Sequence, residues 1–495
     1  MGEKYKEKHR PQYHFSPEQY WMNDPNGMVF FNGEYHLFYQ HTLFATSPVF
    51  DKMHWGHAVS KDLTHWEELP AALYPDENGA IFSGSAVVDW NNTSGLFDET
   101  PGLVAVYTSN DNDPETNRPR QRQSIAYSKD AGRSWTKYEN NPVLSDVNIA
   151  DFRDPKVFWH KDTEKWVMIL ATGQSVTLYT SPNLIDWDFA SEFGAKAGSH
   201  HGVWECPDLF ELPIDQDENN QKFVMIVSIG DNPEFKEGSR TQYFIGHFDG
   251  TTFVNDNPEE TIKWLDYGRD NYAGVSWSDI PDRDGRRIYL GWMSNWRYAN
   301  QVPTEKWRSA MTLPRELALT SSEHGICLIQ KPVSEIQQIR QETISYQDEL
   351  LNQTNPLTIN SISNLLEINI EFEKVSSSYF GIILQHSETE KTVISYDAVT
   401  EKLFVDRTHA GDNSFSASFS ANQEAPIKMI NNSLKLQIFI DTSSIEVFAN
   451  DGKAVFTSLI FPNDPCNQII LFSNEGKTRL TSLELSKLKS IWSAG

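Results

Sequence analysis

The chain has 495 residues, beyond the size at which a single hydrophobic core stops growing, so two domains are expected. Its 42 basic and 68 acidic residues leave a net charge of -26, which argues against nucleic acid or an anionic membrane as partner, since both need a positive footprint. The three cysteines, Cys206, Cys327 and Cys466, lie far apart without CxxC or Cys/His spacing, so neither a zinc site nor a disulfide framework is indicated.

In chain order, Met1-Gly2-Glu3-Lys4-Tyr5-Lys6-Glu7-Lys8 is too charged for a signal peptide, and no apolar run approaches a membrane span. The expectation is an extracellular protein whose signal peptide is absent from this sequence, with a cytoplasmic location as the alternative. Next, Trp21-Met22-Asn23-Asp24-Pro25-Asn26-Gly27 sets one carboxylate on a turn beside an amide and an indole, just before the strand-like Met28-Val29-Phe30-Phe31. Alone, an Asp between Asn and Pro reads as a turn former, bonding nearby backbone N–H groups.

A loose repeat comes after it. Ser60-Lys61-Asp62-Leu63-Thr64-His65-Trp66 recurs as Ser128 to Trp135, Ser181 to Trp187 and, faintly, Phe248 to Phe253, each a polar turn closed by an aromatic and preceded by a β-rich run. A hairpin unit recurring roughly every 50 to 70 residues, with few helical periods, describes a β-propeller. Two further carboxylates stand within it, in Arg153-Asp154-Pro155 and in Trp204-Glu205-Cys206-Pro207-Asp208. A radial array of repeats can aim all three at one axial pocket. Beyond Leu313 the texture changes. Pro332 to Arg340 reads as a short helical linker capped by Ser334, with Ile336 and Ile339 on one face. From about residue 345 the chain alternates with period two, as in Leu434 to Asp441 and Ser444 to Ala449, joined by turns such as Asn450-Asp451-Gly452. That pattern predicts a sandwich of antiparallel sheets. The resulting division is a propeller over 10–330, a linker over 331–343 and a β-sandwich over 344–495.

The three carboxylate segments resemble, in order and spacing, the Asp-Pro-Asn, Arg-Asp-Pro and Glu-Cys motifs of glycoside hydrolase family 32, the invertases, inulinases and levanases. The resemblance runs from about His14 to Lys487 and takes in Phe82 to Val88, Leu265 to Gly268 and Gly291 to Trp296. It implies an all-β fold, a five-bladed β-propeller followed by a C-terminal β-sandwich. It also implies a retaining hydrolase releasing terminal β-D-fructose from fructans (levan, inulin) and sucrose. Asp24 would be the nucleophile forming a fructosyl ester, Glu205 the acid/base and Asp154 the stabiliser of the transition state. Such enzymes hold nucleophile and acid about 5 to 5.5 Å apart. The neighbours suit the roles: Asn23 would favour ionised Asp24, Arg153 would hold Asp154 ionised, and an indole and a thiol beside Glu205 would disfavour its charge.

Carried over by resemblance, the fructose pocket comprises Asn23, Gln40, Phe82, Ser83, Arg153, Cys206, Asp270 and Trp292. Phe50 stands where many relatives have a pocket-walling indole, and Asp270-Asn271-Tyr272-Ala273 stands where many have Asp-Phe-Tyr-Ala. Both departures suggest a looser enclosure of the sugar. No metal or organic cofactor is implied, and the expected partner is a fructan or sucrose. An exo-acting β-fructosidase is favoured because Ala126 to Leu144 and Gly198 to Leu212 look most like bacterial levanases and exo-inulinases. The alternatives are a dedicated invertase, an endo-acting fructanase, a fructosyltransferase or, from another class, a carbohydrate-binding propeller without activity.

Overall fold

In a computed structural model, which describes residues 4–98, 100–323 and 325–492, the chain is built almost wholly of strands. Five antiparallel blades come first. Their innermost strands are Tyr20–Phe31, Ala80–Asp89, Arg153–His160, Trp204–Ile214 and Tyr272–Ser276, which define blades I to V. Each innermost strand packs on the next, and the fifth blade closes on the first. The closure is bonded: Phe30 N–H donates to Ser278 O at 2.9 Å, and Ser278 N–H donates to Met28 O at 2.9 Å. A ring so closed has no free inner edge to pair with another chain.

The repeat seen in the sequence is the turn between the third and fourth strands of blades I to IV, and its polar residue explains it. Asp62 accepts from Thr64 and His65 N–H at 3.0 and 2.8 Å, and Asp130 from Ser134 N–H at 2.8 Å. Asn183 accepts from Asp186 N–H at 2.9 Å, and Asp249 from Thr252 N–H at 2.7 Å. The side-chain oxygen satisfies donors that the reversing backbone leaves unpaired.

A short 3₁₀ helix, Ser334–Ile339, separates the propeller from the C-terminal sheets, with strands ending at Pro332 and resuming at Arg340 on its two sides. Ile336 and Ile339 are buried as their spacing predicts. The cap is not as expected: Val333 occupies the N-cap without a side-chain bond, and Ser334 is already inside the helix, its hydroxyl donating to Glu335 at 3.3 Å. Two six-stranded sheets then pack face to face. Leu434, Leu436, Ile438 and Ile440 alternate into a core shared with Ile382, Leu384 and Ile394 of the facing sheet. Asn450 and Asp451, both at positive φ, make the hairpin that joins Ser444–Ala449 to Ala454–Leu459.

The junction between the two units is apolar with buried ion pairs inside it. Tyr13, Leu313, Ile336 and Ile339 pack on Phe439, Phe448 and Val455. Arg315, fully buried, donates to Asp266 at 3.1 Å and to Glu446 at 2.6 Å. His14 bridges Asp441 at 2.8 Å and Glu446 at 2.9 Å. Burial opposes its charge, but the two carboxylates prevail and hold its pKa at about 9. A histidine raised in the folded state contributes stability that is complete below its unfolded value, near 6.5, and is lost as pH rises through about 9. The thermal midpoint should therefore fall between pH 7 and 10, and His14→Gln should flatten that fall. A midpoint equally pH-dependent in both proteins would deny His14 this role.

Candidate active site

All five innermost strands are interrupted at the same level. The pairing of each with its neighbour slips between Met22 and Pro25, Ile81 and Gly84, Arg153 and Lys156, Glu205 and Asp208, and Tyr272 and Val275. A bulge inserts an unpaired residue and re-aims the side chains around it. The residues so released include Asn23 and Asp24, Phe82 and Ser83, Asp154, Cys206 and Ala273. Asp154, Cys206 and Ala273 all sit at positive φ, at 64°, 46° and 54°. Non-glycine residues seldom adopt that conformation, and such strain persists only where the surroundings enforce it. Prolines follow Asp24, Asp154 and Cys206, supplying no N–H at positions where the ladder is already broken.

The ring of bulges gathers the three carboxylates. Asp24 accepts from Asn23 Nδ2 at 3.0 Å and from Ser83 Oγ at 2.7 Å, and the Cys206 thiol lies 3.5 Å from it. The same thiol is 3.6 Å from Asp154 Oδ2, which also accepts from the Cys206 N–H at 2.9 Å. Burial and the surrounding carboxylates push that thiol's pKa well up, so it stays protonated and offers its weak donor between two aspartates. Glu205 accepts from Arg153 Nη2 at 2.9 Å and from the Tyr272 hydroxyl. Behind Asp24 the polar groups form a chain. Gln40 Nε2 donates to the Asn26 amide oxygen at 3.0 Å, Asn26 Nδ2 donates to Ser83 Oγ at 3.2 Å, and Ser83 donates onward to Asp24.

Electrostatics couple the carboxylates. Burial raises the Asp24 pKa from its ordinary value, Glu205 adds to the rise, and bonds from Asn23, Ser83 and Cys206 pull it back. Asp154 is lifted to about 7, by burial first, against the pull of Arg153 and with the help of Glu205 and Asp24. Asp24 and Asp154 are thus both raised by burial and by the neighbouring carboxylates, and the two share the Cys206 thiol between them.

Two expectations about charge change accordingly. Arg153 favours ionised Asp154 but does not prevail over burial and the other carboxylates: its Nε is 3.9 Å from Asp154, while Nη1 binds Asp151 at 2.5 Å and Nη2 takes Glu205. Nor do an indole and a thiol surround Glu205. Neighbours along a strand point to opposite faces. Trp204 is wholly buried in the core of blades III and IV, and Cys206, turned by the bulge, faces the aspartates instead.

Aromatic rings stand around the mouth. Phe50, 51% exposed, has its ring 6.2 Å from that of Phe82 and 6.2 Å from that of Trp296. Trp296 in turn stacks on Trp21 at 5.8 Å. Two residues expected in the pocket lie outside it. Trp292 is fully buried on the second strand of blade V, where it packs 4.7 Å behind Trp296; the indole at the mouth is the one in the loop four residues later. Asp270 has both oxygens engaged in the domain junction. Tyr298 donates to Oδ1 at 2.5 Å, while Arg407 and the Leu459 N–H, at 2.8 Å, share Oδ2. Asn271 is likewise structural, bonding Asp266 at 3.1 Å and the Tyr289 hydroxyl at 2.9 Å, so its substitution for an aromatic leaves the pocket wall untouched. Sequence reasoning missed Trp296, Tyr272, Asn26 and Asp151. The first three lie inside segments already singled out, but which of their side chains faces the axis depends on the bulges.

Known proteins match this arrangement along the whole chain. Residues 14–332 match the family description "Glycosyl hydrolases family 32 N-terminal domain", and residues 335–487 match "Glycosyl hydrolases family 32 C terminal". A levanase of Bacillus subtilis (strain 168) is 51% identical over 494 residues, spanning 99% of this chain and 72% of that protein. An extracellular exo-inulinase of Aspergillus awamori is 39% identical over 527 residues, spanning 99% and 96%. The crystal structure of exo-inulinase from Aspergillus awamori superposes with a TM-score of 0.90 at 37% identity, covering 99% of this chain and 100% of that one.

Proposed function

We propose that this chain, which belongs to glycosyl hydrolase family 32, removes terminal β-D-fructose from fructans and from sucrose by double displacement. The observation that carries this reading is the ring of five bulges, which brings Asp24, Asp154 and Glu205 together at one mouth of the channel. Asp24 is the nucleophile. Held by Asn23 and Ser83, its carboxylate attacks the anomeric carbon and forms a fructosyl ester. Glu205 gives its proton to the departing oxygen and later takes one from the water that hydrolyses the ester. Arg153 and Tyr272 fix the Glu205 carboxyl in place for both transfers, and pre-set geometry is what such a step requires. Asp154 bonds the sugar hydroxyls and offsets the positive charge that develops on the ring.

Phe50, Phe82 and Trp296 make a crowded mouth suited to a chain end, which favours exo action over cleavage within a polymer. The names of the relatives, a levanase and an extracellular exo-inulinase, agree with a polymeric fructan met outside the cell. Product analysis on sucrose, inulin and levan tests the reading. Free fructose alone from the polymers is the expected result, oligosaccharide products would replace it with endo action, and no product from any of the three would leave only a binding propeller. Trp296→Ala should raise KM about tenfold or more with a smaller change in kcat, because a stacking face for the sugar is lost and the carboxylates are not touched. A fall confined to kcat would place Trp296 elsewhere in the mechanism.

A further inference from the structure

The innermost strands that begin at the carboxylates end at a second cavity. Ala80–Asp89, Arg153–His160 and Trp204–Ile214, with the segment after Tyr272–Ser276, line a space of about 770 Å³ at the opposite mouth of the channel. That lies within the range of cavities that hold ligands, roughly 300 to 1,000 Å³. A plug separates the two mouths. Lys156 donates to the Ser276 carbonyl and lies 3.6 Å from Asp208, and Asp208 accepts from the Ser276 N–H and hydroxyl, both at 2.7 Å.

We propose that this distal cavity is a second carbohydrate-binding site that holds a fructan chain while the carboxylate mouth works on chain ends. The proposal rests on the fructan reading above. Three features of the cavity carry it. Trp90 is 57% exposed, yet it is fixed: its Nε1 donates to Asp279 at 2.8 Å, and Asp279 is itself held by the Val88 N–H at 3.0 Å. An indole kept rigidly in water presents a flat apolar face at little entropic cost on binding. Arg287 lies over the Phe210 ring at 5.0 Å, and its acceptors are distant ones, Ser276 Oγ at 3.5 Å and the Trp277 carbonyl at 3.4 Å. It has no carboxylate partner within ion-pair distance among the described residues, so its donors remain available to hydroxyls. The rim adds the exposed acceptors Asp162, Glu211 and Asp282, which accept from hydroxyls and repel an anionic ligand. A flat aromatic face among mixed donors and acceptors suits a neutral polyhydroxy chain.

The test is migration through native gels containing levan or inulin. An Asp24→Asn background keeps the polymer intact, and Trp90→Ala and Glu211→Ala are added to it singly. Glu211→Ala is a surface change, whereas Trp90→Ala also removes the donor to Asp279 and should lower the thermal midpoint slightly; in the wild type both should leave sucrose turnover unaltered. The expected result is retention by polymer that weakens about tenfold with Trp90→Ala, equivalent to ~1.4 kcal/mol, and less with Glu211→Ala. Retention unchanged by both, or no retention of the Asp24→Asn protein at all, would overturn the second site. Failure of the wild type to split sucrose would instead overturn the functional reading, whatever the gels show.

Discussion

Asp24→Asn should remove fructose release from sucrose and fructans by about 10⁴-fold or more, the scale on which loss of a covalent nucleophile acts. The amide keeps the size of the side chain and its bond from Ser83 Oγ, so the fold should survive and the thermal midpoint should not fall. It should rise at neutral pH. In the native protein burial lifts the Asp24 pKa above its unfolded value, so ionising it costs stability, and that cost is relieved as pH falls through the raised value. Replacement by an uncharged amide removes the cost altogether. A variant with wild-type turnover would exclude Asp24 as the attacking group, and a collapsed midpoint would make it a structural residue.

Glu205→Gln should lower turnover by roughly 10² to 10⁴, the contribution of a positioned proton donor. The loss should depend on the leaving group. A substrate with an acidic aryl alcohol in place of the sugar leaves without protonation, so its turnover should fall far less than that of sucrose. In the wild type, the acid limb of kcat/KM should lie above the ordinary carboxylate value of about 4, because the raised Asp24 must be ionised to attack. Equal losses on both substrates would take the proton transfer away from Glu205.

The sequence carried the clustering of the three carboxylates better than the setting of each one. Asp24, Asp154 and Glu205 were legible because each stands in a short motif with Pro, Arg or Cys beside it, and the turn repeat was legible because an Asx side chain must cap each outer hairpin. The environment of each group was not. Adjacent letters such as Trp204 and Cys206 look like neighbours of Glu205, yet strand alternation sends one into the core and a bulge sends the other to the aspartates. Arg153 looked like the partner of Asp154 because it is next to it, but its reach takes it to Asp151 and Glu205. Asp270 was misplaced for a longer-range reason and Trp292 for a local one. Asp270 is claimed by Arg407 from the sandwich, and Trp292 is covered by Trp296 from the loop after its own strand. Partners 137 residues apart leave no local trace in a chain. Ser334 failed as a cap because the helix is a tight 3₁₀ turn entered from Val333.

The central claim is a covalent fructosyl ester on Asp24, and capture by methanol tests it most directly. With methanol present during sucrose cleavage, the ester should be intercepted on the face from which Glu205 activates water. The product should be methyl β-fructofuranoside, rising in proportion to methanol and identified by the anomeric carbon signal in its NMR spectrum. Direct attack by water on the substrate would need the carboxyl groups about 6.5 to 9.5 Å apart and would invert the centre. Formation of the α-anomer, or of no methyl fructoside at any methanol concentration the enzyme tolerates, would contradict the account.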